Sequence, residues 1–94
     1  MELTMAHYLC IERFNNGDPL PVYRRMRDEG RQAPTGLEFV TSWITEDLTT
    51  CYQVMKGDKA KVDQWVAKWK DIITFEVLEV QTSAEAQTRV APRL

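Results

Sequence analysis

Apolar and polar positions along the chain keep two rhythms, one of period two and one near 3.6 residues. Met5 to Phe14 is apolar on both alternating sets, with Met5, Leu9 and Ile11 on one face and Ala6, Tyr8 and Cys10 on the other. A strand apolar on both faces is normally covered twice, so this first strand is expected at the centre of a sheet. Asn15-Asn16-Gly17-Asp18-Pro19 is a turn cluster, in which Asp18 can cap a helix that starts at Pro19. Leu20, Tyr23 and Met26 then fall at helical spacing with Val22 beside them, and Gly30 offers a stop, which predicts a helix over about residues 19–31.

The clearest signal is a hairpin. Two runs, about 38–45 and about 50–56, are rich in β-branched and aromatic residues and flank the polar turn Glu46-Asp47-Leu48. Gly57-Asp58 ends the hairpin and caps a second helix. Its Val62, Trp65, Val66 and Trp69 stand at i, i+3, i+4 and i+7, the face of an amphipathic helix that packs on a core. Phe75 to Gln81 reads as a fourth strand, with Phe75 and Val77 on one face and Leu78 and Val80 on the other. Thr82-Ser83-Ala84-Glu85 has the form of a capping box and predicts a short helix over about residues 83–90. Met1–Thr4 is a short lead-in.

The order β-α-β-β-α-β with a tail helix is the split β-α-β, or ferredoxin-like, α+β pattern. Right-handed crossovers put both helices on one face of an antiparallel sheet whose strands run four, one, three, two. The whole chain, 1–94, is expected to be one such domain. Two helices cover only one face, and a monomer rarely leaves so large an apolar face in water. A homodimer with facing sheets, a dimeric α/β barrel, is therefore expected.

Composition narrows the partners. Hydrophobic residues at 44% and charged residues at 28% are ordinary globular values. A net charge of −2 disfavours a nucleic-acid binder, and Thr50-Cys51-Tyr52-Gln53-Val54 lacks the glycine–aromatic pattern of an RNA-stacking strand. No apolar run approaches membrane-spanning length, no signal sequence opens the chain, and a cytoplasmic location is expected. Cys10 and Cys51 lie inside strands and read as reduced thiols. With His7 as the lone histidine they lack metal-ligand spacing, so neither metal nor cofactor is expected. Arg13, Arg24, Arg25, Arg27 and Arg31 precede every lysine; such a run can hold an anion or simply solvate a helix.

In the expected topology the end of the first strand lies beside the starts of the third and fourth and the end of the second. Glu12, Trp43, Cys51, Tyr52, Gln53 and Glu76 should then gather at one end of the sheet, with Tyr23 and Arg24 reaching the same rim. Tyr8, Trp43 and Tyr52 would wall a pocket in the barrel interior. Glu12, Gln53 and Arg24 would orient a small, mostly apolar or aromatic molecule. Glu12 and Glu76 could work as a carboxylate pair with separated pKa values, or each could pair with an arginine. His7 lies at the far end of its strand from Cys51, which argues against a Cys–His nucleophile. The expected function is small-molecule binding, with a cofactor-independent enzyme as its catalytic form. The alternative is a noncatalytic homodimerisation or interaction module.

Tyr8 to Phe14, Asn16-Gly17-Asp18-Pro19 with Pro21-Val22-Tyr23-Arg24-Arg25, Ser42-Trp43, Cys51 to Met55, and Thr82 to Ala86 resemble an uncharacterised family of small bacterial proteins, the DUF3303-like domains of unknown function. The resemblance spans nearly the whole chain and implies a bacterial cytoplasmic protein of one short domain. It brings no activity or catalytic residue. The element order is also similar to the dimeric α/β-barrel superfamily, which includes antibiotic-biosynthesis-type monooxygenases and muconolactone-isomerase-like proteins. That similarity rests on topology and implies no reaction.

Overall fold

A computed structural model of the chain describes residues 5–94, and the lead-in over 1–4 lies outside the described residues. The elements are β1 (Ala6–Phe14), α1 (Leu20–Glu29), β2 (Glu38–Ile44), β3 (Thr50–Gly57), α2 (Lys59–Ala67), β4 (Ile73–Val80) and α3 (Ser83–Val90). Short turns of 3-10 helix follow β1 and α3, at Asn15–Gly17 and Ala91–Arg93. The strands form one antiparallel sheet in the order β2-β3-β1-β4, the ferredoxin-like α+β arrangement expected.

Burial along β1 shows which face is covered. Tyr8, Cys10, Glu12 and Phe14 are buried, whereas His7, Leu9 and Ile11 are only half-buried and Arg13 is exposed. The cover comes mainly from α2. Asp58 accepts a hydrogen bond from the Lys61 backbone N–H at 2.9 Å, satisfying one of the helix's free amides. From that start the apolar stripe turns inward, and Val62, Trp65 and Trp69 are buried against Met55, Cys10 and Ile73.

The other helix packs differently from its pattern. The expected stripe of Leu20, Tyr23 and Met26 is only partly inward: Leu20 and Tyr23 are exposed, and no residue of α1 is fully buried. Val22, Arg25 and Met26 are its half-buried positions. Arg25 fixes this rotation. It makes a bidentate pair with Asp71 at 2.7 and 2.8 Å, donates to the Lys68 carbonyl at 3.0 Å and lies 5.4 Å from the Trp69 ring centroid. At the helix end Gly30 has φ +71°, a conformation that favours glycine.

The loop from α1 to β2 is tied to α2. The indole N–H groups of Trp65 and Trp69 both donate to the Arg31 carbonyl, at 2.9 and 3.0 Å. Lys68 and Lys61 donate to the carbonyls of Gln32 and Thr35, at 3.2 and 2.6 Å. The loop's far end presses on β3, where a Cβ at Gly57 would lie 2.9 Å from the Gly36 carbonyl oxygen and from Leu37 Cδ1.

A register shift at Val40 breaks the alternation of β2. Trp43 and Thr41 oppose Tyr52 and Val54, but Phe39 opposes Met55, a residue of the covered face. The bulge sends Phe39 to the same side as the α1–β2 loop, where the Arg31 guanidinium lies 3.9 Å above its ring. The uncovered face then presents Leu9, Ile11, Tyr52, Val54, Trp43 and Leu78. α3 opens with the capping box, Glu85 N–H to Thr82 and Thr82 N–H to Glu85, and all its residues but Ala86 are exposed.

Candidate functional site

Because α1 contributes no fully buried side chain, its span over the sheet leaves a gap. The gap is a cavity of about 170 Å³ between the sheet, α1 and α2. Its apolar walls include Phe14, Val22, Met26, Trp65, Trp69 and Ile73. Its polar floor is built by adjacent strands, where Glu12 of β1 opposes Cys51 of β3 and Gln53 is the next residue of β3 on that face.

Glu12 is only 5% exposed and Gln53 only 4%. Gln53 Nε2 donates to Glu12 Oε2 at 2.8 Å, and Arg31 Nε donates to Gln53 Oε1 at 2.9 Å. An arginine only donates, so the Gln53 oxygen must face Arg31 and its amide N–H must face Glu12. Glu12 Oε2 is therefore an acceptor, while Oε1 takes no hydrogen bond among the described residues. No fully enclosed side-chain polar atom there is unpaired, so Oε1 reaches the cavity.

Burial is the main reason that the Glu12 carboxyl is pushed up to about 7, against which the Gln53 hydrogen bond and the Arg31 charge pull it down. Burial likewise pushes the Cys51 and Cys10 thiols up to about 12, with the neighbouring Glu12 adding to the shift. Burial thus disfavours the thiolate at both positions. Among the described residues no three of His, Cys, Asp and Glu come together as metal ligands. The cavity thus holds one group able to gain or lose a proton near pH 7, set in apolar walls.

A family model described as Domain of unknown function (DUF3303) matches residues 6–94. The chain belongs to this family. No curated protein and no solved structure matches it.

In this DUF3303 domain the expected site residues divide between the two faces of the sheet. Glu12, Gln53 and Tyr23 come together at the cavity, with Cys51 beside them. Tyr8 is buried on the same face but farther along β1, past Cys10, and does not line it. Trp43, 75% exposed, and Tyr52 lie on the uncovered face, so they cannot wall a pocket that holds Glu12. Glu76 is on that face too, opposite Ile11, and pairs with Arg13 at 3.3 Å; it forms no carboxylate pair with Glu12. Arg24 is exposed and outside the cavity. The expected gathering at one end of the sheet is thus corrected by strand alternation, which splits the set. The cavity that holds Glu12 and Gln53 lies between the sheet and the helices of one chain.

Arg31, Met26, Ser42 and the two tryptophan walls are functional candidates outside the expected set. The tryptophans read as core and are core; their second role depends on the gap left by α1. Arg31 stands in a loop without periodicity, and only the run of arginines in its region hinted at it.

Among the described residues no helix is long and apolar enough to cross a membrane.

Proposed function

We propose that this domain binds a small, mostly apolar molecule in the cavity between its sheet and helices, with Glu12 as the acid–base group that meets it. The carrying observation is the buried carboxyl whose Oε1 opens on an apolar cavity of about 170 Å³. Glu12 is buried as a residue while its unpaired Oε1 is not fully enclosed, so that oxygen is the part of the carboxyl a ligand in the cavity can reach. A group with a pKa near the working pH is suited to both proton uptake and release, so a cofactor-independent proton transfer is the reaction class that fits.

A panel of single-ring compounds, followed by amide chemical shifts, tests this reading. Saturable shifts are expected at Val22, Met26, Cys51 and Gln53, and they should vanish in Met26→Trp, which fills the cavity. A panel without a binder, or binding that survives Met26→Trp, would overturn it.

We also propose that the uncovered sheet face is closed by a second copy of the chain. Its charges are balanced locally: Arg13 pairs with Glu76, and Lys56 stands opposite Glu38. The apolar centre around Leu9, Ile11, Tyr52 and Trp43 carries no charge of its own, which suits a like face better than a charged partner. Native mass spectrometry at micromolar concentration should record a dimer that Tyr52→Asp dissociates. A monomeric parent chain would sink the proposal.

A further inference from the structure

We infer that the cavity selects an uncharged single-ring molecule bearing a hydroxyl group, whose oxygen meets Oε1 of Glu12. The inference rests on the reading that the cavity is a ligand site, and it names the chemistry of the ligand.

Size sets the first limit. An apolar cavity of about 150 Å³ holds benzene, so about 170 Å³ takes one ring with a small substituent. The walls set the second. Phe14, Val22, Met26 and Ile73 offer no strong hydrogen-bonding group, and the N–H groups of Trp65 and Trp69 are already spent on the Arg31 carbonyl. The body of the ligand must therefore be apolar.

The polar floor sets the third limit. Gln53 gives its oxygen to Arg31 and an N–H to Glu12. Arg31 is the one cation lining the cavity among the described residues, and its guanidinium is turned to Gln53 and to the ring of Phe39. Ser42 and Tyr23 add hydroxyls, which rotate to suit either a donor or an acceptor. The position that decides is Glu12 Oε1.

Since Oε2 already accepts from Gln53, a proton on Glu12 sits on Oε1. The ionised carboxyl then presents an acceptor to the cavity, and the protonated one presents a donor. A carbonyl matches only the protonated form, and an N–H donor matches only the ionised form. A hydroxyl both donates and accepts, so it is satisfied in either state. A ligand carboxylate would face Glu12 across apolar walls, with Arg31, held through Nε on Gln53 and stacked on Phe39, as its one possible cation among the described residues, and burying it there is costly.

The test compares phenol, toluene and benzoate at pH 7, with affinities read from the shifts of Val22, Met26, Cys51 and Gln53. One hydrogen bond to a charged group makes phenol roughly tenfold tighter than toluene. Benzoate should bind at least about tenfold more weakly than phenol. Glu12→Leu should abolish most of the preference for phenol over toluene. Should that variant fail to fold, the three parent-chain affinities decide alone. Toluene or benzoate binding as tightly as phenol would overturn the hydroxyl assignment and leave the cavity a ligand site. Failure of all three to shift the cavity residues would overturn both readings together.

Discussion

The two faces of one sheet are drawn from alternate residues of the same strands and meet opposite fates. On one side of β1, Tyr8, Cys10, Glu12 and Phe14 lie under helices; on the other, His7, Leu9, Ile11 and Arg13 do not. The covered face includes a carboxyl and an amide, the groups least suited to burial, and the uncovered face includes Trp43 and Tyr52, among those best suited to it. Such an inversion is uncommon where packing alone decides, because buried polar groups cost stability unless they are paired. The covered side buries a hydrogen-bonded polar floor, and the uncovered side leaves apolar area exposed.

The largest contrast expected is between two tryptophans. Trp65 is 2% exposed, and Trp65→Ala should lower unfolding stability by about 3–5 kcal/mol through the cavity it leaves. Trp43→Ala, on the other face, should cost less than about 0.5 kcal/mol at concentrations where the chain is monomeric. Urea denaturation of both variants checks this, and equal losses would erase the distinction between the faces.

Glu12→Gln sharpens the comparison through pH. The folded carboxyl is raised from 4.5 to about 7. Below the lower value both the folded and the unfolded chain hold the proton. As pH rises, the unfolded chain ionises first, so stability falls, by about 3 kcal/mol once pH exceeds the folded value. Glu12→Gln carries no such penalty. The variant should match the parent near pH 4 and exceed it at pH 8 by up to about 3 kcal/mol. A stability difference independent of pH, measured by denaturation at both values, would mean that Glu12 does not carry a raised pKa.

The smallest effect is expected outside both faces. Thr82→Ala removes the capping box of α3, worth about 1 kcal/mol to that helix. Since α3 is almost wholly exposed, the loss should appear as faster amide exchange across Ser83–Val90 with an unchanged global denaturation midpoint. A shift of the global midpoint would instead place α3 within the cooperative core.

The element order and the bounds of α3 were legible because each had its own local signal, and the strand order followed from the element order through the crossover rule. The stripe of Val62, Trp65 and Trp69 and the Thr82–Glu85 box are patterns that tertiary structure had little reason to override. The covered face was not legible, since β1 is apolar on both of its alternating sets and periodicity cannot rank them. The bulge at Val40 was hidden for a related reason: Phe39 and Val40 both suit a strand, and no glycine marks the break. The turn of α1 was set by Arg25 reaching Asp71, a contact 46 residues away that no local window contains. Within the site, Glu12 and Gln53 could be placed together from topology. Trp43, Tyr52 and Glu76 were placed at the right end of the sheet and on its other side.

The place of β1 in the sheet also bears on how the chain can assemble. β1 is central, and both of its partners follow it far along the chain: Ala6 pairs with Gly57, and Phe14 with Ile73. Contacts this distant along the chain slow folding, because the closure of long loops precedes any gain from pairing. The cavity draws Glu12 from the first strand, Gln53 from the third and Ile73 from the fourth. The site is therefore complete only once β4 has joined the sheet.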